Sequence, residues 1–330
     1  MSAANVRIAG LGKYLPARVM DNHELERLVD TSDEWIRKRT GIVERRIAAP
    51  DETTCSMGVA AARAALQMAE VEPADLDLIV MATGTPDHPA FPAAGSLAQE
   101  ALGAGRAGAF DVGAGCAAFG YGLVTGAQFV MSGACRNVLV IGSDVMSRII
   151  DWRDRTTCVL FGDGAGAVVL QRTDRPGGLR SFVLGSDGCG AQRLYIPAGG
   201  SKMPASHESV EARAHFLRME GQNVFRFATK VIPGSIVEAL EQAGLTAADL
   251  GLVIPHQANI RIIDHAREKL DLPAERVFTN VDRYGNTSAA SIPVALCEAL
   301  EEGRIKDGDI VAMCAFGAGL AWASAIWEWN

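Results

Sequence analysis

Short apolar runs recur along the chain between segments of helical spacing. Val6-Arg7-Ile8-Ala9-Gly10 predicts a first strand, and Asn22-His23-Glu24-Leu25 reads as the cap and opening turn of a short helix. Thr31-Ser32-Asp33-Glu34-Trp35-Ile36 supplies a second cap, followed by a helical turn that carries Trp35. Ser56 to Glu70 is alanine-rich with helical spacing, and Leu76-Asp77-Leu78-Ile79-Val80-Met81 then reads as a strand. Alternation of helix and buried strand predicts an α/β sheet.

Two stretches break the ordinary rhythm. No residue from Val112 to Cys135 is charged, and Asp111 and Arg136 mark its ends. The stretch is long enough to raise the question of a membrane span. Its internal glycines, with Thr125, Gln128 and Ser132, fit better a helix buried on all sides in a large domain. Ile310 to Trp327 is uncharged too, but Phe316-Gly317-Ala318-Gly319 divides it, which predicts two buried strands and a turn.

Cys116 stands at the head of the first stretch, in Gly113-Ala114-Gly115-Cys116-Ala117-Ala118. Most free cysteines are small apolar fillers. A thiol at the first turn of a helix, however, faces unpaired N–H groups and the positive end of the dipole, which favour the reactive thiolate.

The pattern then returns. Ala65-Leu66-x-x-Ala69-x-Val71-x-x-Ala74-Asp75-Leu76 is matched by Ala239-Leu240-x-x-Ala243-x-Leu245-x-x-Ala248-Asp249-Leu250, and Gly115-Cys116 and Gly133 by Gly285-Asn286 and Gly303. The unit is domain-sized, so this is a duplication, with halves 1–174 and 175–330. It places Cys116 and Asn286 at equivalent helix heads, which meet if the halves pack about a pseudo-twofold axis. The counterpart of the Leu78-Ile79-Val80 strand is Leu252-Val253-Ile254-Pro255, which delivers His256 at its carboxyl end, where α/β sheets place their chemistry.

Composition narrows the class. The chain has 330 residues, of which 48% are hydrophobic, enough for a large core of two domains or one doubled one. A net charge of −8 argues against a nucleic-acid partner. Seven cysteines without a C-x-x-C pair suggest neither a disulfide framework nor a metal site, and point to a reducing cytoplasm. Met1-Ser2-Ala3-Ala4-Asn5-Val6-Arg7 lacks the pattern of a signal peptide.

Over nearly its whole length the chain resembles the β-ketoacyl-acyl-carrier-protein synthases of type III. The resemblance is carried by Thr31-Ser32-Asp33-Glu34-Trp35-Ile36, Arg39-Thr40-Gly41-Ile42, Phe161-Gly162-Asp163-Gly164-Ala165-Gly166-Ala167, Pro255-His256-Gln257-Ala258-Asn259 and Gly285-Asn286-Thr287-Ser288-Ala289-Ala290-Ser291. It implies a thiolase-like five-layered α-β-α-β-α fold of two duplicated halves, a homodimer, and no cofactor. By resemblance Cys116 takes an acyl group from coenzyme A, while His256 and Asn286 promote decarboxylation of a malonyl thioester on acyl carrier protein. Such a step leaves an enolate, which needs donors where charge develops. The backbone N–H groups of Cys116 and Ala318 would form the acyl oxyanion hole. Trp35 and Arg155 would sandwich the adenine, Arg39 reach the phosphates and Asn259 the pantetheine arm. Gln257 and Arg261 would meet the carrier protein, and Phe91 would line the partner's acyl pocket across the dimer interface.

Some roles stay open on the residues alone: Trp35 is as well read as a core or dimer-contact aromatic, and Arg261 as a solvated helix arginine. The alternative function is an acyltransferase or ketosynthase of secondary metabolism with another acceptor. The family commonly has glycine where Ala118 and Ala318 stand, which predicts a narrower or reshaped pocket. Gly162-Asp163-Gly164-Ala165-Gly166 resembles a phosphate loop but runs into a strand, so a dinucleotide site is not expected.

Overall fold

The computed structural model describes residues 5–330; the signal-peptide expectation, in so far as it falls on residues 1–4, lies outside them. In chain order the first half contains β1 (Asn5–Tyr14), β2 (Arg18–Asp21), α1 (Asn22–Glu26), α2 (Asp33–Thr40), β3 (Glu44–Ile47) and α3 (Thr54–Ala69). It continues with β4 (Leu78–Ala82), α4 (Ala94–Leu102), β5 (Gly108–Val112), α5 (Ala118–Met131), β6 (Asn137–Asp144) and β7 (Gly164–Thr173). The second half has β8 (Gly178–Ser186), β9 (Leu194–Tyr195), α6 (His207–Glu211), β10 (Arg218–Met219) and α7 (Gly221–Ala243). After them come β11 (Leu250–Pro255), α8 (Ile260–Lys269), α9 (Val281–Tyr284), α10 (Ser291–Glu301), β12 (Ile310–Gly317) and β13 (Ala321–Glu328).

One pairing scheme occurs twice. The first sheet has the order β1-β7-β6-β4-β5 and the second β11-β12-β13-β8. The pair β4–β6 is parallel and β6–β7 and β7–β1 are antiparallel; β11–β12 is parallel and β12–β13 and β13–β8 are antiparallel. Even β5 has a vestigial counterpart, a parallel bridge between Val253 and Val277. The duplication legible in Ala65–Leu76 and Ala239–Leu250 is thus a duplication of α3–β4 and α7–β11.

Five layers follow from what each helix touches. α3 covers the outer face of the first sheet and α7 that of the second, while α5 contacts strands of both sheets and α10 shares the middle layer with it. Packed between two sheets, α5 leaves little surface to water, with only Gln128 and Phe129 near its carboxyl end exposed, hence its lack of charge. Its glycines are steric. A Cβ on Gly120 would lie 2.6 Å from Ala323 in the second sheet, and one on Gly126 3.0 Å from Leu170 and Val140 in the first. The core of this layer gathers Val80, Phe119, Leu123 and Val140 with Ile254, Leu296 and Met313. Among the described residues no helix is long and apolar enough to cross a membrane.

Candidate active site

Cys116, His256 and Asn286 all line one cavity of about 270 Å³, which reaches outward past Phe225 and Met219 to Trp35 and Arg39. Three different local devices bring them there. Cys116 occupies the turn between β5 and α5, where Gly115 has φ +53°. On the other side Gly317, the last residue of β12, approaches so closely that a Cβ there would lie 2.4 Å from the Cys116 nitrogen. His256 extends β11: its N–H donates to the Cys314 carbonyl at 2.7 Å, and Phe316 stands edge-on to the ring at 5.4 Å. Asn286 is held by its backbone, donating to the Leu160 carbonyl at 2.8 Å and accepting from the Gly162 N–H at 3.0 Å.

The electrostatics differ from the sequence expectation at the nucleophile. α5 starts at Ala118, two residues beyond Cys116, and the Ala117 and Ala118 N–H groups already donate to the carbonyls of Ala114 and Gly115. Burial dominates and pushes the Cys116 thiol up to about 12, against the lowering influence of the Ser288 hydroxyl. Desolvation in the closed cavity works against the thiolate and so opposes the helix terminus. Burial acts on His256 in the opposite direction and holds its imidazole down to about 3, so the ring is neutral.

The donors are set with a defined sense. Asn286 Oδ1 accepts the Ser288 N–H at 2.8 Å, which turns the amide NH₂ the other way. Ser288 adopts φ +52° to do this, a left-handed backbone that costs a non-glycine residue roughly 1–2 kcal/mol. The next N–H, of Ala289, donates to Asp144 Oδ2 at 3.0 Å; Oδ1 of the same buried carboxylate receives Thr83, Gly84 and Thr85. Ala318 adjoins the nucleophile, since a Cβ on Gly115 would lie 2.6 Å from its nitrogen. Neither the Cys116 nor the Ala318 N–H donates to a backbone carbonyl among the described residues, which leaves both open to an oxyanion.

At the mouth, Ser32 caps α2 by accepting the Trp35 N–H at 3.1 Å, and Gly41 ends the helix with φ +81° against Ile260 of α8. Arg155 does pair with Trp35, but its guanidinium lies 4.7 Å from the ring centroid. An interleaved base needs two stacking layers, about 7 Å. The expected sandwich is therefore closed here, with Arg155 donating to the Asp30 carbonyl at 2.5 Å. Asn259 lines the cavity, yet its side chain caps α8 through the Arg261 N–H and donates to the Arg39 carbonyl. Arg39 and Arg261 share an outer groove of about 580 Å³ with Lys38 and Trp35.

One expected contact does not fit. Gln257 is only 1% exposed, and its amide donates to the Pro255 and Phe278 carbonyls while its Oε1 accepts the Asn280 N–H. It braces the end of β11 and offers no surface to a carrier protein. Phe91, in contrast, is 85% exposed on its loop and does not reach this chain's own cavity. The sequence reading missed Phe316, Ser291 and Asp144; for Ser291 the only signal was its place in the motif that begins at Gly285.

The chain is similar to known proteins over nearly its whole length. The family profile described as 3-Oxoacyl-[acyl-carrier-protein (ACP)] synthase III matches residues 110–188, and its C-terminal companion matches residues 240–329. The β-ketoacyl-[acyl-carrier-protein] synthase III of Caldanaerobacter subterraneus subsp. tengcongensis is 53% identical over 323 residues, covering 98% of this chain and 97% of its own. The chain belongs to the 3-oxoacyl-[acyl-carrier-protein] synthase III family. Its fold is that of the family's crystal structures: the Aquifex aeolicus synthase III superposes with a TM-score of 0.91 at 44% identity, over 98% of this chain and 100% of its own. The priming β-ketosynthase of the R1128 polyketide pathway superposes equally, TM-score 0.91, at 40% identity over 100% of this chain and 98% of its own.

Proposed function

We propose that this chain condenses an acyl-CoA primer with malonyl-acyl carrier protein, with Cys116 as the nucleophile and His256 and Asn286 as the donors of the decarboxylation half. The observation that supports this best is the meeting, in one buried cavity, of a thiol with an imidazole Nε2 and an amide Nδ2 that have no hydrogen-bond partner among the described residues. In the first half-reaction Cys116 sulfur bonds to the acyl carbon, the bond to the coenzyme A sulfur breaks, and the thiol proton ends on coenzyme A. The N–H groups of Cys116 and Ala318 receive the transient oxyanion.

In the second half-reaction the malonyl C–C bond breaks, carbon dioxide leaves, and the enolate oxygen is met by His256 and Asn286. The enolate carbon then bonds to the acyl carbonyl, the C–S bond to Cys116 breaks, and the thiolate takes up a proton. That proton comes from solvent, the first one having left on coenzyme A; no other reactant is needed, and we infer that the enzyme uses no cofactor.

For delivery, the outer groove with Lys38, Arg39 and Arg261 suits the coenzyme A phosphates, and Arg155 swings off Trp35 to admit the adenine. Arg261 remains our choice for the acidic carrier protein. We also read the chain as a homodimer: β5 is an unpaired edge strand beside the exposed Phe91, two features that a second copy would cover. Seven free cysteines fit a cytoplasmic location.

A second reading, favoured by the 40% identical polyketide-priming relative, is the same condensation with a primer for secondary metabolism. A panel of acyl-CoAs with malonyl-acyl carrier protein tests both: carbon dioxide release with acetyl or branched primers favours the fatty-acid role, and strict preference for another primer the polyketide one. No turnover with any primer overturns both.

A further inference from the structure

His256 enters the cavity with one nitrogen engaged and one free. Nδ1 lies 2.6 Å from the Ser291 hydroxyl oxygen, whereas Nε2 is buried and has no hydrogen-bond partner among the described residues. A neutral imidazole carries a single proton, and the partner of one nitrogen decides which of the two holds it. The deciding fact is what else Ser291 does. Its oxygen accepts the Gln257 backbone N–H at 3.3 Å, and no third partner meets it among the described residues. That N–H occupies one lone pair of the oxygen, and Nδ1 is the one acceptor the hydroxyl proton has among the described residues, so the arrangement that leaves no buried proton unpaired has Ser291 donating to Nδ1. Gln257 has no freedom to turn away, because its side chain is tied to Pro255, Phe278 and Asn280. Ser291 itself is the first residue of α10 and is buried.

We propose that Ser291 is a positioning residue that locks His256 in the Nε2–H tautomer, so that the ring presents the malonyl thioester oxygen with a donor and never with a proton acceptor. The inference rests on the condensing reading above and deepens it. The Ser288 N–H fixes the sense of the Asn286 amide, and Ser291 fixes the sense of the imidazole; together they aim two N–H donors of one polarity into the cavity. The same lock bars Nε2 from taking the Cys116 proton, which therefore leaves on the coenzyme A sulfur as that sulfur departs. Burial, which keeps the ring neutral at neutral pH, makes the tautomer the only variable left to set.

The test is a nitrogen NMR spectrum of the full-length enzyme labelled with ¹⁵N-histidine, with His256 assigned by its loss in His256→Gln. In the wild type Nε2 is expected to appear as the proton-bearing nitrogen and Nδ1 as the bare one. Ser291→Ala is expected to average or invert the two, to slow carbon dioxide release from malonyl-acyl carrier protein about tenfold with KM unchanged, and to leave acyl-enzyme formation within about threefold. The loss is smaller than removal of a whole oxyanion donor, because part of the population keeps the correct tautomer. Ser291→Thr is expected to restore both readouts. An Nδ1–H ring in the wild type, or a Ser291→Ala enzyme with wild-type tautomer and rate, overturns the proposal. If Ser291→Ala does not fold, the wild-type and Ser291→Thr spectra decide: Nε2–H in both supports the lock and Nδ1–H in either overturns it. A wild-type Nε2–H ring in an enzyme that releases no carbon dioxide overturns the condensing reading and leaves the lock standing.

Discussion

The turns that carry Cys116 and Asn286 are the same turn used twice. Gly115 and Gly285 have φ +53° and +62°, and each is pressed against backbone, Ala318 nitrogen in one case and the Leu160 carbonyl in the other. Past that point they diverge. Cys116 leads directly into α5, uncharged and packed mainly by apolar contacts, whereas Asn286 leads into a strained Ser288 and then α10 with its buried Glu298. That carboxylate receives Asn280, Tyr284 and Arg283, and Lys13 pairs with it at 3.3 Å. The difference follows from what each turn must hold. A nucleophile needs a dry position and two backbone donors, while an amide must be prevented from flipping, which takes hydrogen bonds to its other end. Duplication supplied the scaffold, and polar contacts added in the second half turned a position into an orientation.

Removing the nucleophile is the largest expected break in this comparison. Cys116→Ala should fold, since the side chain is small and the turn is set by Gly115, but should give no acyl adduct in intact mass after incubation with acetyl-CoA. The loss in overall condensation is expected to exceed about a thousandfold, as for a covalent nucleophile acting with its partners as a unit. Carbon dioxide release from malonyl-acyl carrier protein should survive, because the second half's donors are untouched. An adduct at wild-type rate would place the nucleophile elsewhere.

Asn286→Ala attacks the other turn. It is expected to lower decarboxylation on the order of a hundredfold, the scale of losing one placed oxyanion donor, with acylation within about tenfold. His256→Ala should match it, and the double variant should be little worse, because two donors to one charge are not additive. Equal losses in both half-reactions would mean that Asn286 supports the turn around Cys116 and is not specific to the enolate.

The architecture was largely legible because its signals are local. The uncharged Val112–Cys135 run announced a helix buried in a large domain, and the Ala65–Leu76 repeat announced a duplication of domain size. What failed to show were contacts between residues distant in sequence. Whether Cys116 is a thiolate depends on how much protein closes over it, which no motif states. Gln257 is adjacent to His256 in sequence, but its burial is set by Phe278 and Asn280. Ser291 lay inside a motif whose other members drew attention, and its partner is a histidine delivered by another strand.

The mouth contrasts with the interior, being open and charged where the cavity is closed and apolar. Trp35→Ala is expected to raise KM for acyl-CoA about tenfold with kcat nearly unchanged, since stacking on an aromatic is worth about 1–3 kcal/mol and acts far from the reacting atoms. Steady-state kinetics at saturating malonyl-acyl carrier protein measure it. An unchanged KM would make Trp35 a partner of Arg155 only.

The smallest effect separates the two turns by pH. Burial depresses His256 from 6.5 to about 3 and raises Cys116 from 9.0 to about 12, so each half strains against charge at opposite ends of the scale. For His256 the folded value lies below the unfolded one; its contribution is complete above pH 6.5 and is lost as pH falls from there toward 3. For Cys116 the folded value lies above the unfolded one, so its contribution is complete below pH 9.0 and is lost as pH rises toward 12. Each loss runs at up to about 1.4 kcal/mol per pH unit within its window. Denaturant midpoints at acid, neutral and alkaline pH should therefore show His256→Gln losing less stability than wild type in acid only, by about 1 kcal/mol across the first unit below 6.5. Cys116→Ala should show the same relief in alkali only. If either variant follows the wild type at its own end of the scale, the group in question is hydrated in solution, and the dry cavity that assigns the two turns their separate chemistry is not maintained.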